Sequence, residues 1–148
     1  MSDNPMNEFQ RDISYRISNS DDGRIRLSAT MRDRYHDIVL EVAVNGETLT
    51  IEGVATEFRK CPTIDCHHAA ERLNRLTGIV IRKGLNKQIV EAMGGEEGCG
   101  NLRNLLLGLL PLAINVKAAA GFTDEQAMLD KMSEHMHGTC AGYPRHTA

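Results

Sequence analysis

The 148-residue sequence has no surplus of positive charge and no long apolar run, and each shortage removes a class of function. There are 17 Lys and Arg against 20 Asp and Glu, a net charge of −3 with His neutral. The balance holds along the chain. Residues 1–60 carry 8 basic and 11 acidic side chains, and residues 61–148 carry 9 of each. The basic footprint of a nucleic-acid binder is missing, so no nucleic-acid partner is expected. The longest stretch without charged or strongly polar side chains, 105–114, is interrupted by Pro111. It is about half as long as a membrane-spanning helix needs to be. Residues 1–10 are polar and acidic, unlike a secretory signal or a transit peptide. These absences predict a soluble, cytoplasmic protein with no membrane partner. The chain also lacks internal repeats, low-complexity tracts, a serine in a nucleophile elbow and a carboxylate pair in an acid–base setting.

The length suits one domain, and its core is large enough to need neither disulfides nor metal. The expected organisation is a tail over residues 1–10, a single α+β domain over 11–140 and a second tail over 141–148. Residues 13–18 alternate weakly and predict a first strand. Asp22-Gly23 marks a turn. Ile25, Leu27, Ala29 and Met31 then share one face of a strand, with Arg24, Arg26 and Arg32 on the other. Ile38, Leu40, Val42 and Val44 line a further strand, and Asn45-Gly46 signals a tight turn into a return strand carrying Leu49 and Ile51. Beyond Gly53 the apolar parity changes, which predicts a bulge there.

From Cys61 the period becomes helical. Cys66, Ala69, Ala70, Leu73 and Leu76 form one stripe, with His67 and Glu71 on the opposite side. Residues 85–93 predict a short helix stopped by Gly94-Gly95. A longer helix starts near Cys99 and is kinked or split by Pro111. Residues 123–126 read as a capping box that opens a last helix, with Met128, Met132 and Met136 as its buried stripe. Strands first and helices afterwards mean α+β: an antiparallel meander of three to four strands, followed by three to four helices packed on one face.

The chemical lead lies in the cysteines and histidines. Without a signal peptide, Cys61, Cys66, Cys99 and Cys140 are expected as free thiols. Their spacing matches no standard zinc pattern. Cys61 and Cys99 each stand where a helix begins, where free N–H groups and the helix dipole favour a thiolate. Cys66 falls on an apolar stripe, which reads first as packing. His67 and His68 diverge by about 100° on a helix and read as solvent-facing. His36-Asp37 opens a core strand and could be a ligand beside its carboxylate, or a polar loop. His135, His137 and Cys140 place three soft or borderline ligands in six residues, but only if their helix frays. The glycine-rich stretch 94–100 lacks the Lys-Ser/Thr of a nucleotide loop and contains Glu96 and Glu97. It reads as backbone approaching a neighbour closely.

Two resemblances add to this reading. The set Tyr35-His36-Asp37, Cys61-Pro62-Thr63-Ile64-Asp65-Cys66 and Gly94-Gly95-Glu96-Glu97-Gly98-Cys99, with Leu102 and Leu105-Leu106, is similar to the bacterial domain-of-unknown-function family numbered 2889. The resemblance covers roughly residues 11–120. Asn101 stands where the family pattern leads one to expect His. The layout also resembles the U-type iron–sulfur cluster scaffolds. That resemblance implies a site of Cys61, Cys99 and Asp37, with His36 and Cys66 as further candidate ligands. It implies zinc, iron or an iron–sulfur cluster as cofactor. It departs at the scaffolds' first cysteine, where this chain has Tyr35 or His36, and at Cys66, which they lack. A protein that binds no cofactor is the other expectation.

Three functional readings follow. The first is a metal-binding, scaffold-like accessory protein without catalysis. The second is a thiol-based enzyme or carrier, with Cys61 or Cys99 as nucleophile and His36 or His67 as base. The third is an interaction module whose basic strand face (Arg24, Arg26, Arg32, Arg34) meets an acidic protein partner. The edge strands and the Met-rich last helix also suggest a homodimer.

Overall fold

Alternation at period two decides the sheet. A computed structural model describes residues 4–145. The tails at 1–10 and 141–148 therefore lie partly outside the described residues. Four strands, β1 (Asp12–Asn19), β2 (Arg24–Arg32), β3 (Asp37–Asn45) and β4 (Ile51–Lys60), pair antiparallel in the order β1-β2-β3-β4. Ile25, Leu27, Ala29 and Met31 face Val44, Val42, Leu40 and Ile38 across the β2–β3 ladder, and all eight are buried. Their neighbours in sequence point to the opposite, helix-free face, as the pleat requires. Between Ala43 and Val44 the β4 partner jumps from Gly53 to Ile51, so Glu52 is an extra residue. This is the bulge expected beside Gly53. It lets Ile51 stay buried while Val54 and Phe58 pack against the same core.

The Asn45-Gly46 connection is longer than a two-residue turn. Asn45 Oδ1 accepts the N–H groups of Glu47 and Thr48 at 2.9 and 3.0 Å. Leu49 is therefore in the loop, at φ 58°, with its side chain buried. The strand resumes only at Ile51, after Thr50 has bridged to Val80.

Helices follow: a 3₁₀ helix (Ile64–Leu76), then α1 (Leu85–Met93), α2 (Gly100–Leu109), α3 (Leu112–Ala119) and α4 (Glu125–Met136). Ile89, Met93, Leu102, Leu105, Leu106 and Leu109 close the core over the apolar sheet face. The α+β layout read from the sequence is the one observed. Pro111, which has no N–H to donate, separates α2 from α3, although its backbone remains helical at φ −60° and ψ −23°.

Three expectations need correction. The helical run Gly100–Ala119 has 20 residues and is long and apolar enough to cross a membrane by length and composition. The sequence criterion stopped at polar residues and saw half of it. In this fold Leu102, Leu105, Leu106, Leu109, Leu110 and Ala113 of that run are buried in the core. Second, Asp124 rather than Thr123 caps α4, accepting Gln126 N–H at 3.1 Å. Third, α4 has no buried residue: Met128 and Met132 are half-buried and Met136 is exposed. Amphipathic spacing gives a helix an apolar face but does not provide the surface that covers it.

Candidate functional site

The segment after β4 is wound more tightly than its periodicity suggests. Thr63 is extended, at φ −135° and ψ 158°, and holds the helix start back to Ile64. Cys61 therefore precedes the helix, and Cys66 occupies its first turn. In a 3₁₀ helix residues three apart eclipse one another. Cys66, Ala69, Arg72 and Arg75 align on one edge and Asp65, His68 and Glu71 on the next, while Ala69, Leu73 and Leu76 are the residues buried in the core. Cys66 thus leaves the apolar stripe that a 3.6-residue period assigns it. It lines a cleft of about 840 Å³ that reaches Glu96, Glu97 and Cys99 on the far side. Cys99 is the N-cap residue of α2, as its position before the leucine-rich helix suggested.

Thr63 organises the thiols. Cys61 Sγ donates to Thr63 O at 3.1 Å, and Thr63 Oγ1 lies 3.7 Å from Cys66 Sγ. The single Cys61 thiol proton serves one acceptor at a time, so it acts on Cys66 only when it turns from Thr63 O towards the Cys66 sulfur. Burial pushes the Cys66 thiol up. Hydrogen bonds from the Thr63 backbone and hydroxyl, from the Cys61 thiol and from the Cys66 backbone more than offset this, leaving Cys66 below an ordinary thiol. Cys61 is raised by burial and by its hydrogen bond to, and repulsion from, the Cys66 sulfur. Of the two thiols Cys66 is therefore the easier to ionise.

The far wall of the cleft is set by Arg72. Its guanidinium donates to Ala92 O at 3.0 Å and Gly94 O at 3.4 Å, and pairs with Glu97 at 2.7 Å. These contacts tie the glycine loop, and Cys99 at its end, to the last carbonyls of α1. Gly98 lies so close to α1 that a Cβ would overlap the Met93 carbonyl. This is the close backbone approach that the glycines implied. Gly98→Ala is expected to cost about 1–3 kcal/mol by overpacking against rigid backbone. Urea unfolding checks this, and an unchanged midpoint contradicts it.

His36 and Asp37 belong to a neighbouring cluster at the same end of the sheet. Asp33, whose side chain has no exposed surface, accepts from Tyr35 N–H, His36 N–H, His36 Nδ1 and Arg11 Nε, all at 2.8–2.9 Å. With its Nδ1 proton on Asp33, His36 accepts from Asn101 Nδ2 at Nε2, at 3.2 Å. Asn101 also accepts from Arg11 Nη1 at 3.2 Å. Burial pushes the Asp33 carboxyl up, but the hydrogen bonds from His36, the Tyr35 N–H and Arg11 outweigh it and hold it at about 2. Asp37 Oδ1 is buried without a hydrogen bond, 3.5 Å from Arg32 Nε.

The structure does not gather the proposed ligands. Among the described residues no group of three or more His, Cys, Asp and Glu side chains could hold a metal ion. Cys61 is engaged by Thr63 and Cys66, Cys99 opens onto the cleft, and Asp37 lies beside Arg32 on the helix-free face. This donor set does not fit zinc, iron or a cluster. The same holds for His135, His137 and Cys140, all exposed around the end of α4. The histidines named as bases have other partners. His36 is held by Asp33 and Asn101, and His67 packs edge-on against Phe58 with ring centroids 5.4 Å apart.

The basic strand face is largely neutralised within the chain. Arg24 pairs with Asp22 and Glu52, Arg26 with Asp22, and Arg32 with Asp37, while Arg34 lies over the Tyr35 ring. Sequence reasoning missed Asp33, Thr63 and Arg72. Asp33 had a local signal, an Asp two and three residues ahead of the N–H groups it accepts. Arg72 had none, because its partners are twenty or more residues away.

A family model described as protein of unknown function (DUF2889) matches residues 9–115, from before β1 into α3, and includes both clusters. No curated protein and no solved structure matches the chain.

Proposed function

The chain belongs to the DUF2889 family of proteins of unknown function, and from that premise we propose a thiol-based enzyme or carrier whose working group is the Cys66 thiolate. The observation that carries the reading is the Cys61–Thr63–Cys66 arrangement at the edge of the cleft. A thiolate needs donors that favour its charged form, and Thr63 and Cys61 supply them without a histidine. Cys61 is the second thiol and the proton donor, and Cys99 faces the same space from α2. The cleft wall mixes Arg72, Arg75 and His68 with Asp65, Glu96 and Glu97. It suits a polar substrate presenting a soft electrophilic centre.

Peptide-resolved alkylation of the native protein with iodoacetamide tests the reading. Cys66 is expected to react first, and its rate to persist to lower pH than that of the other thiols. A reaction order that simply follows exposure, led by the exposed Cys140, would sink it.

A further inference from the structure

β1 is the outer strand of the sheet, and among the described residues no strand covers its second edge. Ser20 N–H donates to Arg24 O at 2.9 Å, so the hydrogen-bonded pairs of the β1–β2 ladder fall on even-numbered β1 residues. The N–H and C=O groups of Ile13, Tyr15 and Ile17 therefore point away from β2. On the apolar side of this edge Ile13 and Tyr15 remain 47 % and 39 % exposed. On the helix-free side Asp12, Arg32, Asp37 and Lys60 stand opposite one another in sequence across the four strands. The row alternates in sign and ends at the open edge on an acid. Four residues along β1, Arg16 is exposed and has no hydrogen-bond or ion-pair partner among the described residues.

We propose that β1 pairs antiparallel with β1 of a second copy about a twofold axis through Ser14, joining two four-stranded sheets into one. In this register Ile13 of each copy faces Tyr15 of the other, through pairs whose backbone groups point outward. Asp12 of each copy faces Arg16 of the other, which extends the alternating row by the cation it lacks. Each contact occurs twice, as a twofold interface requires. Sliding the strands by two residues in one direction sets Asp12 against Ser18 and Arg16 against Ser14. Sliding them the other way sets Asp12 against Ser14 and Arg16 against Gln10. Neither alternative pairs the charges, and cross-strand charge pairs select register. The free edge is thus satisfied by a second copy of this chain.

Sedimentation velocity across a concentration series tests the proposal on the full chain. The unmodified protein is expected to show a monomer–dimer equilibrium. Arg16→Asp sets acid against acid twice and is expected to raise the dissociation constant by about tenfold or more. The charge-swapped double variant Asp12→Arg with Arg16→Asp is expected to recover the dimer. Ile13→Pro removes an outward N–H without touching the β1–β2 bonds and is expected to abolish dimerisation in a folded monomer. A monomer at every concentration overturns the proposal. So does an Arg16→Asp variant that dimerises normally, or a double variant that stays as weak as the single one.

Discussion

Replacing Cys61 with Ala is expected to slow alkylation of Cys66 at neutral pH and to move the midpoint of its pH–rate profile upward. Cys66 lies below an ordinary thiol because donors outweigh its burial, and one of those donors is the Cys61 thiol. Removing it withdraws a hydrogen bond to the charged form while burial continues to oppose ionisation. Thr63→Val removes the hydroxyl donor and is expected to shift the profile in the same direction. Cys66→Ser is expected to abolish the fast phase while leaving unfolding nearly unchanged, since Cys66 borders the cleft rather than the core. Rapid-quench alkylation with mass mapping measures all three. A Cys61→Ala profile that superimposes on the parent would contradict the assigned roles.

The second large effect is on stability. Asp33→Ala leaves His36, the Tyr35 N–H and Arg11 without their acceptor at the end of the sheet. Leaving these exposed and partly buried donors without their shared acceptor is expected to cost about 1–3 kcal/mol at neutral pH. Its pH dependence has a definite sign. The Asp33 carboxyl is lowered in the folded protein from 3.8 to about 2. Its contribution is therefore fully present above the unfolded value and is lost as pH falls through the folded one. The gap in urea midpoint between parent and Asp33→Ala is expected to be widest near neutral pH and to narrow between those two values. A gap that stays constant across this range would mean that Asp33 acts by shape rather than charge.

Much of the fold was legible because it rests on short-range patterns. Period-two alternation in residues 25–31 and 38–44 defined the sheet face, the parity change after Gly53 marked the bulge, and Pro111 marked the break between α2 and α3. The errors arose where tertiary context decides. Nothing local distinguishes a 3₁₀ from an α-helical winding over residues 64–76, yet that difference moves Cys66 from core to cleft. The Met-rich face of α4 has the spacing of a buried stripe, and only the packed structure shows that its methionines stay half-buried or exposed.

The cysteines were legible as residues of interest but not as a constellation. Cys61 and Cys99 attracted attention through their places near helix starts. The hydrogen-bonded grouping in the structure links Cys61 to Cys66 through Thr63, a threonine with no motif of its own. His36 stood out beside Asp37, yet its hydrogen-bonded carboxylate is Asp33, three residues earlier. Asn101, noted as a departure from an expected His, is the residue that meets His36 Nε2 from α2. Adjacency in sequence was a poor guide to partnership where a loop reverses the chain.

Thiolate absorbance in the ultraviolet, followed against pH in the parent and in Cys66→Ser, is the most direct test of the central claim. One thiolate is expected to form below the ordinary thiol range in the parent and to be missing in the variant. Four thiols that titrate together at the ordinary value, with no change in Cys66→Ser beyond the loss of one absorbing group, would contradict it.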